Sequence, residues 1–269
     1  NQIRPFVFIF AALLGFSGLV QEAHPFWGKI FSETTKNAPY LLRLGKIPGA
    51  LPDNEVARLA AMINKSGDIK NVRNTIGKMN LPQGVVVDTF LRIAIKQGKL
   101  SKKEAETFLK NLNGVNGFGS TMTKTLGVSS AKTKGHLNEL RIASNANENG
   151  FKVLGIGGRF DDGIKHGATD IDILLSKKGK VLPVEAKDWK QITWENMITI
   201  RKDMDSLGAF KKASTSPSST HPILTFTNPP ENKALARLIT KEAEKRSIQV
   251  VYGPPASQLM QIDQLLIIL

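Results

Sequence analysis

Residues 169–190 have the sequence TDIDILLSKKGKVLPVEAKDWK, and this stretch decides the fold of the chain around it. Two short runs rich in apolar and β-branched residues flank a turn of lysines and glycine, a pattern that predicts a β-hairpin. Successive side chains of a strand point to opposite faces. Asp170 and Asp172 therefore share a face of the first strand, as Glu185 and Lys187 do of the second. Pairing the strands gathers two or three carboxylates and one ammonium, an arrangement that favours a divalent cation with a phosphodiester.

The composition is that of a basic globular protein. The 269 residues carry a formal net charge of +14, with 41% hydrophobic and 22% charged residues. A positive charge of this size favours a polyanionic partner, of which nucleic acid is the first candidate and an anionic membrane the second. The chain has no cysteine, which excludes disulfides and thiolate metal sites.

Three segments are predicted along the chain: residues 1–23 as an apolar leading segment, residues 24–130 as a helical domain and residues 131–269 as the domain of the hairpin. The apolar run from Phe6 to Val20 is shorter than the roughly 20 residues that span a bilayer. It is interpreted as a membrane-interacting or translocation segment, with a buried helix and a residual signal sequence as alternatives.

The helical domain is predicted from apolar periodicity and capping signals. Residues 53–66 repeat apolar positions at helical spacing, and Ser101 with Glu104 forms a capping-box signature. Residues 85–95 are compatible with either a buried helix or a strand. Residues 113–134 are rich in Gly, Ser, Thr and Lys and are interpreted as a linker.

The second half alternates between helical and strand patterns in the order α-β-β-β-α-β, with a further α-β and an apolar tail appended. The helix after the hairpin is expected to begin near Thr193 with Trp194, Met197, Ile198 and Met204 as its apolar stripe. The predicted helices cover residues 135–149, from about 193 to 212, and 231–246. The predicted strands cover residues 151–156, both arms of the hairpin, 223–227 and 248–252, and the apolar tail covers 259–269.

This order resembles the PD-(D/E)XK, or restriction-endonuclease-like, nuclease superfamily. The resemblance covers residues 134–252, with Asp172 in the second strand and Glu185-Ala186-Lys187 ending the third. Glu231-Asn-Lys233 has the same spacing, but only Glu185 follows an apolar strand at hairpin distance from an aspartate. The residue before Asp172 is isoleucine rather than proline.

The resemblance implies a set of site residues. Asp172 and Glu185 would bind Mg²⁺ or Mn²⁺ with the Ala186 carbonyl, because hard cations take oxygen ligands. Lys187 would position and help to deprotonate the attacking water and balance charge on the phosphate. Glu139 matches the additional acid that family members supply from the first core helix, and its alternative is a solvated helix position. Asp170 is a further ligand or a supporting carboxylate.

Other residues near the motif have less specific signals. His136 and His166 flank it, and Trp189 and Trp194 have flat rings that could stack on a base, although Trp194 is expected in the core. Pro183 removes one donor from its strand and leaves the hairpin register open. Lysines near the motif, among them Lys177, are equally compatible with phosphate contacts and with a solvated surface.

The function predicted from these features is a metal-dependent nuclease that cuts DNA or RNA, with tRNA among the candidates. The apolar leading segment, the missing initiator Met and the absence of cysteine resemble the C-terminal toxin regions of bacterial contact-dependent and other polymorphic toxins. That resemblance implies delivery into the cytoplasm of a target cell and an immunity protein as partner. The alternatives are a nuclease of the repair or resolvase type, a nucleic-acid-binding module that does not cut, and a membrane-associated protein.

Overall fold

The computed structural model describes residues 43–127, 130–158 and 171–268, which belong to one compact unit, Leu42–Leu269. These residues form nine α-helices and one five-stranded mixed sheet, which confirms the α/β class. The helices are α1 (Asp53–Ser66), α2 (Lys70–Lys78), α3 (Gln83–Lys96), α4 (Lys102–Leu112), α5 (Phe118–Lys124), α6 (Ser130–Glu148), α7 (Met197–Ala213), α8 (Lys233–Glu244) and α9 (Pro255–Ile268).

The strands follow one another across the sheet in the order of the sequence. Pairing is antiparallel from the first strand to the third and parallel from the third to the fifth. The strands are β1 (Lys152–Gly158), β2 (Ile171–Lys177), β3 (Lys180–Lys187), β4 (Ile223–Phe226) and β5 (Gln249–Tyr252). The hairpin predicted from the sequence is therefore β2–β3, and its second strand is central.

Two hydrophobic clusters cover the two faces of the sheet. The larger contains Val184 and Ala186 of β3 together with residues of α1 to α6 and α9. The second contains Leu224 and Phe226 of β4 together with residues of α7 and α8. Helices thus lie on both sides of the sheet, and β3 contributes alternate side chains to each side. The larger cluster includes residues before and after the predicted domain boundary at residue 130.

The linker predicted at 113–134 is wrong, because α5 forms within it. Phe118 and Met122 are four residues apart and buried, so they form the apolar face of this helix, and Leu126, just after its end, is buried as well. Gly117 caps this helix at φ +82°, and a Cβ there would overlap the Ile156 carbonyl of β1. The backbone N–H of Ile156 donates to the Asn116 carbonyl over 2.9 Å. The Gly- and Thr-rich composition therefore reflects close contact with the sheet.

Several helix predictions are settled or corrected. The segment 85–95 is helical within α3, and Ser101 accepts the Glu104 N–H at the start of α4 as the capping signature predicts. The helix expected at 231–246 is shorter, because Asn232 caps it and α8 ends at Glu244. The tail expected at 259–269 belongs to α9, which buries Leu259, Ile262 and Leu266.

Of the four residues predicted for the apolar stripe of the helix after the hairpin, two are buried and two are exposed. Thr193 caps a short 3₁₀ turn, Trp194–Asn196, and α7 begins only at Met197. Trp194 is 50% exposed and Ile198 80% exposed, whereas Met197 and Met204 are buried. Within α7 the buried positions are 197, 200, 204, 207 and 210, which leaves Ile198 on the exposed side of the helix. In the part of the chain that the structure describes, no helix combines the length and apolar character needed to cross a membrane.

Candidate active site

The hairpin register places Asp172 opposite Glu185. Ile173 pairs with Val184 in the antiparallel β2–β3 ladder, and the same register continued by one residue brings the two carboxylates side by side. Pro183 pairs with Leu174 and causes no shift of register in this ladder. The hairpin register, which Pro183 left open in the sequence, is therefore regular on both sides of the proline.

The face of the sheet that carries the site is the one covered by α7 and α8. Glu185 and Lys187 are the parallel partners of Leu224 and Phe226, and both of these apolar residues pack into the second cluster. Neighbouring side chains in register lie on the same face. The acid and the amine of β3 therefore project towards α7, as the alternation in the sequence predicts.

Lys187 lies between two carboxylates. Its Nζ atom is 3.3 Å from Oε2 of Glu185 and 3.1 Å from Oδ2 of Asp203, which belongs to α7. Asp172 Oδ2 accepts the backbone N–H of Ala186 over 2.9 Å. Three carboxylates thus surround one ammonium where β2, β3 and α7 meet.

The protonation of these groups reflects burial and an excess of negative charge. Burial, with the neighbouring charge of Asp172, raises the pKa of Glu185 to about 9. Burial and the charge of Asp172 also raise the pKa of Asp203, against the opposing effect of Lys187. Burial alone lowers the pKa of the Lys187 ammonium, but the three carboxylates outweigh it and raise that pKa. A site that disfavours its own negative charges in this way favours an added cation.

Glu139 lies beside this cluster, on α6. It is 7% exposed, and its Oε1 atom is 3.0 Å from Nδ1 of His136 one turn earlier. Burial raises the pKa of Glu139, the hydrogen bond from His136 lowers it, and the charge of Asp172 raises it again. The alternative of a solvated helix position is therefore wrong for Glu139, and its catalytic role stays a prediction.

Of the other residues singled out in the sequence, Lys177 and Trp189 are described by the structure, and Asp170 and His166 are not. Lys177 forms an ion pair with Asp263 over 2.7 Å and lies over the ring of Phe151, so its charge already has local partners. Asp170 and His166 lie outside the described residues. Trp189 packs against Phe226 with ring centroids 6.0 Å apart.

Asp203 is the member of the cluster that sequence reasoning missed. It belongs to the same helical face as Ile200 and Leu207, which are three residues before it and four after it and are both buried. A carboxylate within an apolar stripe is the signal that could have found it, because such a group needs a buried partner. The sequence does not show that this partner is Lys187.

A divalent cation fits the donor set of the site. Mg²⁺ is commonly bound by one or two carboxylates and keeps several waters, and Asp172, Glu185 and the Ala186 carbonyl provide such oxygens. Within residues 43–127, 130–158 and 171–268, no group of three or more His, Asp and Glu side chains that could hold a metal ion is found.

Comparisons of this chain with family models, with curated proteins and with solved structures find no match.

Proposed function

We propose that this chain is a metal-dependent nuclease whose centre is formed by Asp172, Glu185 and Lys187. The observation that carries the proposal is the pairing of β2 with β3, which brings two carboxylates and one ammonium to the same face. The observed order α6-β1-β2-β3-α7-β4 agrees with the α-β-β-β-α-β order on which the family resemblance depends. The net charge of +14 supports a polyanionic substrate.

The proposed mechanism assigns one task to each group. Asp172, Glu185 and the Ala186 carbonyl would hold Mg²⁺ or Mn²⁺, and a cation held there would supply Lewis-acid chemistry to the phosphodiester and its attacking water. Lys187 Nζ donates hydrogen bonds to the water and to a phosphate oxygen, which positions the nucleophile and balances charge. As the new bond to phosphorus forms, the water loses its proton to solvent and the bond from phosphorus to the leaving oxygen breaks. Glu139, held by His136, supplies a further carboxylate next to Asp172.

The test is a cleavage assay with plasmid, single-stranded DNA and total tRNA, each with Mg²⁺ and with EDTA. The wild-type protein is expected to cut at least one substrate only with the metal. Asp172→Ala, Glu185→Ala and Lys187→Ala are each expected to reduce cutting by about 10²-fold or more, with unchanged circular dichroism.

The chain provides its own control for this assay. Glu231 and Lys233 repeat the E-x-K spacing at the start of α8, where both are exposed. Glu231→Ala and Lys233→Ala are expected to cut at the wild-type rate. Retained activity in all three site variants would end the proposal. Salt-sensitive binding with no cleavage under any divalent ion would favour the binding module instead.

We further propose that the nuclease acts as a toxin or effector and that an immunity protein neutralises it. The support is the basic, cysteine-free composition and the helical region that precedes the candidate centre. Expression in the bacterial cytoplasm is expected to stop growth, and Glu185→Ala is expected to relieve it. Harmless expression of an active enzyme would contradict the effector role and leave the nuclease proposal intact.

A further inference from the structure

The contact between Lys187 and Asp203 joins the central strand to the helix that covers it. Oδ2 of Asp203 is 3.1 Å from Lys187 Nζ, slightly closer than Oε2 of Glu185 at 3.3 Å. Asp203 lies on α7, 16 residues after Lys187 in the chain. The ammonium therefore has one carboxylate partner on its own strand and one on a separate element.

The surroundings of Asp203 differ from those of an ordinary surface ion pair. Its side chain is 16% exposed and that of Lys187 17%. Asp205, only two residues further along α7, is 65% exposed and pairs with Arg246 over 2.7 Å. Exposed pairs contribute little to stability, whereas a carboxylate that is mostly desolvated loses more when its partner is removed. The position of Asp203 is thus tied to Lys187 more strongly than a surface carboxylate would be.

The proposed function makes the two partners of Lys187 unequal. Glu185 is a proposed cation ligand, and a carboxylate oxygen that binds a cation is less available to a neighbouring ammonium. Asp203 approaches Nζ from α7 and has no part in the proposed ligand set. It is the partner that can keep Lys187 in place while Glu185 binds the cation.

We propose that Asp203 is a positioning residue of the nuclease centre. It fixes the direction of the Lys187 ammonium towards the water and phosphate, and it acts through Lys187. This inference rests on the proposed function, because it assigns a role within the same centre. Residues that orient the groups of a metal site typically contribute about 10- to 100-fold to activity.

The first test reads the contact directly and needs no activity. Nitrogen-15 NMR of the lysine ammonium groups in the full chain is expected to show a slowly exchanging Lys187 Nζ signal, assigned by its loss in Lys187→Arg. In saturating Mg²⁺, when Glu185 would bind the cation, the signal is expected to disappear in Asp203→Asn, which keeps the shape of the side chain, and in Asp203→Ser. It is expected to remain in the control Asp205→Asn. A Lys187 signal that persists in both Asp203 variants would overturn the inference.

The second test separates positioning from a structural role. Asp203→Asn is expected to lower kcat by about 10- to 100-fold with KM unchanged, and to cause no further loss in a Lys187→Ala background. Losses that multiply in the double variant would show that Asp203 acts independently of Lys187. A wild-type protein that cuts no substrate would refute the proposed function and the catalytic part of this inference together, while the NMR signal still reports the contact.

Discussion

Two charge clusters in the described part of the chain differ in the number of carboxylates that share one cation, and one of them lies in the helical region. Arg92 of α3 donates to Asp88 Oδ2 over 3.2 Å, to Asp53 Oδ1 over 2.6 Å and to the Leu51 carbonyl over 2.7 Å. The N–H of Gly45 donates to the other oxygen of Asp88 over 2.7 Å. We call these residues the Arg92 cluster. Its guanidinium and buried carboxylate have hydrogen-bond partners supplied by the protein itself.

The candidate active site is the second cluster, and its negative charges exceed its positive ones. Asp172, Glu185 and Asp203 surround the single ammonium of Lys187, and Glu139 lies close by. Burial and like charge raise the pKa of Glu185 to about 9. Burial also raises the pKa of Asp88, although the Gly45 N–H and Arg92 oppose that effect. A buried carboxylate with a raised pKa is thus common to both clusters, and the candidate site differs in having three carboxylates around one ammonium.

The largest stability effect is expected from breaking the Arg92 cluster. Arg92→Ala leaves Asp88, which is fully buried, without its cation and leaves the Leu51 carbonyl without its donor. Removing one partner of a buried ion pair costs about 3–5 kcal/mol. Urea denaturation should show a loss of this size in the free energy of unfolding. A loss below about 1 kcal/mol would mean that the cluster is not the stabilising unit described.

At the candidate site, removing a charge is expected to stabilise the protein rather than to destabilise it. The pKa of Glu185 is raised from 4.5 to about 9, so its contribution to stability is fully present below pH 4.5 and is lost as the pH rises through 9. Glu185→Gln removes the titration and keeps the shape. In EDTA, the Tm of this variant should equal that of the wild type near pH 4 and exceed it increasingly towards pH 9. A variant less stable than the wild type at pH 9 would show that the carboxylate is well compensated.

The smallest effect is expected from Trp194, which the sequence placed in the core. Because its side chain is half exposed in a short turn before α7, Trp194→Ala should change the free energy of unfolding by no more than about 0.5 kcal/mol. Denaturation monitored by far-UV circular dichroism measures this. A loss of several kcal/mol in the free energy of unfolding would contradict this and would mean that Trp194 contributes to the core.

The hairpin and its acidic face could be predicted from the sequence because strand alternation has a fixed period of two. Once β2 and β3 are recognised, the side on which Asp172, Glu185 and Lys187 lie follows from counting residues. The expectation for Glu139 came instead from the family resemblance, which implies an acid on the first core helix, and the structure shows that this side chain is buried.

What could not be predicted depends on packing between distant segments. Asp203 looks like any other helix aspartate until α7 is placed against β3. Trp194 lies in a short turn before α7, and local periodicity does not show where such a turn gives way to a helix. Ile198 lies within α7 but on its exposed side, which is set by the packing of α7 on the sheet. The helix α5 was concealed by Gly and Thr residues that the sequence used for close contact with β1.

The central claim is that Asp172 and Glu185 hold a divalent cation. Calorimetric titration of Mn²⁺ into the metal-free full chain tests it most directly, with Glu185→Gln as the site variant and Glu231→Gln as the control of equal charge change. The wild type and Glu231→Gln are expected to bind Mn²⁺ saturably, and Glu185→Gln is expected to lose this binding. Equal binding by all three proteins, or none by the wild type at millimolar Mn²⁺, would contradict it.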